Sequence, residues 1–213
     1  MKLPWRRTDG SSAESVARPS HGSGADAGQA CPSLARVLSR VLKEPRPEIL
    51  DIGPFCGATA VFLADRGARV SVGELELPLP PAPAEDAPPP PIRLDQPDGR
   101  YHLVLAWEIL DFLPTNRLSE FGPELARILA RGGFALALAL ADASRRAAAP
   151  SRPPRYRVLA EDRVAWEPAA GAPLERYVHA TREIERRLKP LTVQGIHLQR
   201  SQMREVLLYK PMV

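Results

Sequence analysis

The chain has 213 residues, 44% of them hydrophobic, enough for one core behind a polar lead-in. Its net charge of +4 and pI near 9.4 are mild, and the arginines are spread along the chain, so charge marks no nucleic-acid surface. No run approaches the roughly twenty apolar residues of a membrane helix, Met1-Lys-Leu-Pro-Trp-Arg-Arg7 lacks the apolar stretch of a secretory signal, and the distant Cys31 and Cys56 build no disulfide framework, which together predict a reduced, cytoplasmic setting.

Residues 8–30 are rich in Ser, Gly, Ala and Asp with little to bury, so residues 1–32 are expected to be flexible and a single domain to span 33–213. Ser33 can cap a helix striped by Leu34, Val37, Leu38, Val41 and Leu42, which stops before Pro45. An apolar strand then climbs through Glu48-Ile-Leu-Asp51 and breaks at Gly53. Gly57 opens a helix that buries Val61 and Phe62 and ends at Gly67, a residue free to take the left-handed terminal position. A second strand, Ala68 to Gly73, finishes at the carboxylate of Glu74.

Strand, glycine turn, helix, strand and acid form the pattern of a nucleotide-type site at the edge of a parallel sheet. Glycines let the backbone approach a ligand, and an acid at the tip of the next strand suits a ribose diol. A dinucleotide loop would read Gly-x-Gly-x-x-Gly, whereas here the spacing is Gly53-x-x-x-Gly57.

The span from Leu77 to Pro91 is too rich in proline for a helix and predicts an extended polyproline II connection. Ile92-Arg-Leu-Asp95 reads as a third strand and Tyr101-His-Leu-Val-Leu-Ala106 as a fourth, with Trp107 and Glu108 just past its end. Gly122-Pro123 is expected to interrupt a long helix, Pro123 suiting the first turn of a fresh one. A Gly132-Gly133 turn leads into a fifth strand. From 142 to 173 the regular pattern is lost, although Tyr156-Arg-Val-Leu159 and Arg163-Val-Ala-Trp166 predict a small hairpin. Pro173 then opens a helix striped by Leu174, Tyr177, Val178, Thr181, Ile184 and Leu188. Leu191–Leu198 and Arg204–Tyr209 predict a closing antiparallel pair, in which His197 reads as a hydrogen-bonded structural histidine.

Asp51-Ile-Gly53-Pro-Phe55-Cys-Gly57 resembles the first motif, Asp-x-Gly-x-Gly-x-Gly, of the class I S-adenosylmethionine-dependent methyltransferases. Glu74, the third and fourth strands and the Leu125-to-Gly133 helix and double-glycine turn follow in that family's order, covering about residues 34–141. The resemblance implies an α/β fold: a doubly wound, mostly parallel seven-stranded sheet with an antiparallel C-terminal hairpin. It implies a transferase whose cofactor is S-adenosylmethionine, held by Asp51, Gly53, Pro54, Phe55, Gly57, Glu74, Asp95, Gln96 and Trp107. In that arrangement Glu74 takes the ribose, Asp51 orders the loop and reaches the cofactor's amino end through water, and Asp95 meets the adenine amino group with the Gln96 backbone alongside. Phe55 replaces the middle glycine, placing a side chain where the backbone usually runs closest to the cofactor.

No catalytic residue follows from the pattern. Glu108 is a candidate general base or orienter of a substrate amine and Asp111 a second one, against plainer roles for Glu108 as a helix-start acid and Trp107 as a core aromatic. Cys56 reads as packing, with nothing nearby to activate it. The Asp/Asn-Pro-Pro-Tyr loop of adenine and glutamine amino-methyltransferases and the Pro-Cys nucleophile of cytosine C5 enzymes are absent. That leaves a small-molecule acceptor methylated at oxygen, nitrogen or carbon, with residues 142–188 as its cover. Two other readings stay open: a methyltransferase-like fold that has lost catalysis and serves as a binding or regulatory protein, and a nicotinamide-binding Rossmann enzyme.

Overall fold

The computed structural model describes residues 28–77 and 90–212. The lead-in up to residue 27 and most of the proline-rich connection, residues 78–89, lie outside the described residues. No described helix is long and apolar enough to cross a membrane.

The centre of the sheet is Glu48–Ile52 (β2), whose last four residues are buried, the continuous apolar run of a strand covered on both faces. It lies parallel between Arg69–Gly73 (β3) and Tyr101–Ala106 (β4), and β4 runs parallel to Leu129–Leu140 (β5). Direction then reverses: Met203–Tyr209 (β9) pairs antiparallel with β5, and Thr192–Leu198 (β8) antiparallel with β9. The order β3-β2-β4-β5-β9-β8 makes a six-stranded mixed sheet, and the expected C-terminal hairpin is its far edge.

Each face carries its own core. On one side Leu34, Val37, Leu38 and Val41 of the helix Pro32–Val41 (α1) pack with Ile49, Leu103 and Leu136. On the other, Leu118, Phe121 and Leu125 of Thr115–Ile128 (α3) and Ile184 of Thr181–Arg187 (α4) pack with Leu50, Val104 and Val206. A second, three-stranded antiparallel sheet joins Gln29–Ala30 (β1), Arg163–Glu167 (β7) and Arg155–Ala160 (β6). Its hairpin is the one the sequence predicts, and its Tyr156, Val158 and Val164 enter the α1 core. The Thr59 hydroxyl, on the helix Gly57–Ala64 (α2), donates to the Tyr156 carbonyl at 3.0 Å and accepts from the Val158 amide at 3.1 Å, bracing this sheet.

The structure corrects several expectations. Among the described residues the sheet has six strands rather than the expected seven, because Ile92–Asp95 forms none. The backbone there is claimed by α3 instead: the Ile92 and Leu94 amides donate to Glu120 and Glu124 at 3.2 and 2.7 Å, and Arg127 donates to the Leu94 and Gln96 carbonyls at 2.9 and 2.8 Å. With those groups taken, no ladder forms, and β3 becomes the sheet edge.

Helix α3 runs through Pro123 without a break. The proline costs about 3 kcal/mol in a helix interior, which the buried flank of Leu118, Phe121, Leu125 and Ile128 offsets. Gly122 is required there for another reason: a Cβ would come within 2.7 Å of the Leu188 backbone, where α3 meets the end of α4. Ser33 lies inside α1 rather than capping it, since Pro32 occupies the first turn; its amide donates to Glu205 at 2.7 Å. In α2 the buried residues are Thr59 and Leu63, while Val61 is exposed. The helix expected from Pro173 is confined to α4, because the Leu174 and Tyr177 amides donate instead to the Ser151 and Asp111 carbonyls, at 2.8 and 2.6 Å. His197 is exposed. The structural histidine is His179, whose Nε2 meets the Leu110 and Leu113 carbonyls at 3.0 and 3.1 Å and therefore carries the ring proton.

Candidate functional site

The parallel strands β2, β3 and β4 all end at one edge of the sheet, and ligands in open α/β sheets sit outside such ends. There the chain turns through Gly53, whose φ of +150° suits only glycine. Its amide donates to the Gly73 carbonyl at 3.3 Å, stitching the turn to the tip of β3.

A cleft of about 610 Å³ opens at this edge. Gly53 and Pro54 of the turn and Glu74 to Leu77 after β3 form one wall, and Ile109 contributes from beyond β4. The facing wall comes from the segment before and after the β6–β7 hairpin: Arg152, Pro153 and Arg155, then Ala169 and Ala170. The cleft is thus acidic on the sheet side, through Glu74 and Glu76, and basic on the cover side.

Of the residues expected to bind the cofactor, Gly53, Pro54 and Glu74 meet in this cleft, and Glu74 is exposed to it. Asp51 and Trp107 are 5% and 1% exposed, buried just behind the turn. Burial raises the Asp51 carboxyl to about 7, and the nearby Trp107 indole pulls the other way. Among the described residues neither Asp51 Oδ1 nor Trp107 Nε1 has a partner in hydrogen-bond geometry. Phe55 is 54% exposed and does not line the cleft; its ring leans over Gly57, at the exposed start of α2. Asp95 is exposed and away from the cleft lining. Gln96 accepts from the Tyr101 hydroxyl, and its amide lies beside Gly73, within 3.5 Å of where a Cβ would stand.

Glu108 and Asp111 are both buried and both bound to Arg176, itself 4% exposed. Glu108 follows β4 in a left-handed conformation, φ 53°. Arg176 donates to Glu108, to Asp111 at 2.7 Å and to the Pro150 carbonyl at 2.9 Å, and the Tyr156 hydroxyl donates to Glu108. The Leu140 amide donates to Asp111 at 2.8 Å. Burial pushes the Asp111 carboxyl up, which Arg176 opposes, and burial with the Glu108 charge lifts Tyr156 well above the usual phenol range. Burial disfavours the Arg176 cation, yet Glu108 and Asp111 hold its pKa above the ordinary value. Trp107 stacks on Tyr156, centroids 4.8 Å apart. The cluster therefore ties the cover to the tip of β4. It holds Glu108 and Asp111 in structural contacts rather than as a free base.

The sequence reading missed Leu75, Leu77 and Ile109 and the individual cover residues Arg152, Pro153 and Arg155. Only the loss of pattern after residue 142 pointed toward the three cover residues; nothing in the sequence pointed to Leu75, Leu77 or Ile109.

The sequence matches no family model and no curated protein at a significant level. The structure does resemble solved ones in fold. An S-adenosylmethionine-dependent methyltransferase from Mesorhizobium loti superposes with a TM-score of 0.54 at 14% identity, over 84% of this chain and 96% of that one. One from Methanosarcina mazei gives 0.53 at 12% identity, over 83% and 98%. A structure described for the conversion of a disulfide bond into a thioacetal group during echinomycin biosynthesis gives 0.53 at 15%, over 88% and 85%. The fold is that of the class I S-adenosylmethionine-dependent methyltransferases, with one edge strand fewer than expected.

Proposed function

We propose that the protein is an S-adenosylmethionine-dependent methyltransferase acting at oxygen, nitrogen or carbon of a small molecule. The observation that carries this reading is the meeting of the Gly53 turn and the Glu74 carboxylate in one cleft at the carboxyl ends of β2 and β3. The chain's residues fit the cofactor. Glu74 accepts the ribose hydroxyls, a pair of charge-assisted bonds. Gly53 lets the backbone approach, and the orphaned Asp51 Oδ1 beneath it is an acceptor for the amino end, directly or through water. Gln96, whose amide lies beside Gly73 at the tip of β3, is left to the adenine side.

Held by Gly53, Glu74 and Asp51, S-adenosylmethionine would supply an electrophilic methyl group to the acceptor. The protein's part is to hold the acceptor in line and keep water out with the 142–188 cover. Proximity alone contributes several kcal/mol to such reactions, so the engagement of Glu108 and Asp111 by Arg176 leaves the reading intact. The small-molecule acceptor is supported by the neighbour linked to echinomycin biosynthesis. Residues 29–32, in β1 and the first turn of α1, fold with the domain rather than with the expected 1–32 lead-in; that domain then serves as the catalytic unit, in the cytoplasm, without a nucleic-acid partner.

Calorimetric titration with S-adenosylmethionine and S-adenosylhomocysteine is the test. Absence of heat and of any thermal shift at millimolar ligand would end the proposal. One observation favours a second reading, a cofactor-binding protein without turnover: among the described residues, the two acids past β4, Glu108 and Asp111, are both engaged by Arg176. Any methylated product from an acceptor panel excludes it. A nicotinamide enzyme has less support, because the sheet turns antiparallel after β5 and offers no second mononucleotide half.

A further inference from the structure

Beside the cleft, on the cover side, lies a second cavity of about 280 Å³. Arg152 and Ala169 line both spaces, so the small chamber adjoins the cleft across the Arg152 side chain. Its remaining walls include Trp166 on β7, Pro150 and Pro168. Pro150, Pro168, three alanines and the Trp166 indole make a mostly apolar space. Its volume falls below the roughly 300 Å³ at which sites for drug-sized ligands begin, which suits a single ring.

Arg152 is the one charged residue lining this chamber, beside Ser151, and it has no carboxylate partner among the described residues. Its Nη1 donates to the Ala172 carbonyl at 2.7 Å. Its guanidinium lies against Gly171, where a Cβ would come within 3.1 Å. The nearby Arg146, Arg155 and Arg176 each pair with carboxylates. No described carboxylate lies within ion-pair distance of Arg152. A guanidinium fixed by one carbonyl and otherwise unpaired presents its remaining donors for bidentate recognition of a carboxylate.

We propose that this chamber is the acceptor subsite and that it takes a single-ring or similarly flat apolar molecule bearing a carboxylate. Trp166 and the prolines hold the body, and Arg152 holds the acid at the boundary with the cleft. The inference rests on the methyltransferase reading for the word acceptor, but the binding chemistry stands on the chamber itself. The cofactor's own amino-acid carboxylate is the other source of the same chemistry, and the experiment separates the two.

The full chain, first apo and then saturated with S-adenosylhomocysteine, is titrated with benzoate, benzyl alcohol and benzylamine by ligand-observed NMR. Benzoate is expected to bind about ten- to a hundredfold more tightly than benzyl alcohol, and benzylamine most weakly. Arg152→Gln should abolish that preference and weaken S-adenosylhomocysteine, whose cleft it also borders, far less than benzoate. Trp166→Leu should weaken benzoate and benzyl alcohol alike, and Trp166→Phe, which keeps an aromatic wall, should restore most of the binding. The proposal is overturned if benzoate shows no preference, if the preference survives in Arg152→Gln, or if Arg152→Gln weakens S-adenosylhomocysteine and spares benzoate. That last result would assign the arginine to the cofactor. Benzoate binding that depends on Arg152 in a protein that ignores S-adenosylhomocysteine would overturn the methyltransferase reading and keep the anion subsite.

Discussion

The two walls of the cleft are held by different forces. The sheet wall, from β2 through the Gly53 turn to β3, stands on a parallel ladder and a buried apolar strand. The cover wall stands on one arginine, two buried acids, a tyrosine and a set of loop carbonyls. Apolar burial is distributed over many side chains, so no one residue decides it. A buried ion cluster is concentrated, and removing Arg176, the cation both acids pair with, leaves them poorly compensated. The sheet wall is therefore a durable platform for a cofactor. The cover wall is the part that a few substitutions can loosen or retune.

Arg176→Met is the severest way to break that contrast. It should cost about 3–5 kcal/mol of stability, as expected for an uncompensated buried charge, read from urea unfolding with the slope monitored; a loss below about 1 kcal/mol would place the cover's stability elsewhere. The sheet wall carries the next largest effect, and it depends on pH. Asp51 has a folded pKa of about 7 against 3.8 for the free group, so between those values the native state keeps a proton that the unfolded chain has released. Its contribution is fully present below about 4 and is lost as pH rises through about 7. Three units at about 1.36 kcal/mol each set an upper size of about 4 kcal/mol. Asp51→Asn should flatten that slope in thermal unfolding while weakening S-adenosylhomocysteine; an unchanged slope would mean the carboxyl is ionised throughout.

Glu74→Ala should weaken S-adenosylhomocysteine by about 1.5–3 kcal/mol, ten- to a hundredfold, with the melting temperature of the unliganded protein unmoved because the side chain is exposed. Glu76→Ala serves as the comparison, and a larger loss there would transfer the ribose to Glu76. The smallest effect belongs to Phe55→Ala. The ring lies outside the cleft, so calorimetry should find affinity within about twofold of the parent.

Much of the sheet wall was legible because its signals are local. Asp51, Gly53 and Glu74 lie on or beside strands whose periodicity needs no distant partner to be read, and the C-terminal pair from Thr192 to Tyr209 announced itself in the same way. Ile92–Asp95 looked like a strand by the same local criteria. It failed because Glu120, Glu124 and Arg127 compete for its backbone from an element some thirty residues on. Tyr177 illustrates the same limit: its helical periodicity lost to a hydrogen bond with the Asp111 carbonyl. Phe55, expected against the cofactor, turned outward over Gly57.

Sequence by itself therefore determined the parallel α/β core, the glycine turn and the acid beyond it, since hydrophobic period and backbone freedom are properties of neighbouring residues. Tertiary structure alone decided the missing edge strand, the capture of Glu108 and Asp111 by Arg176, and the meeting of Arg152 and Trp166 around one small chamber. Those outcomes turn on which distant group reaches a buried charge or an unpaired amide first, and that competition is settled only when the whole chain has packed.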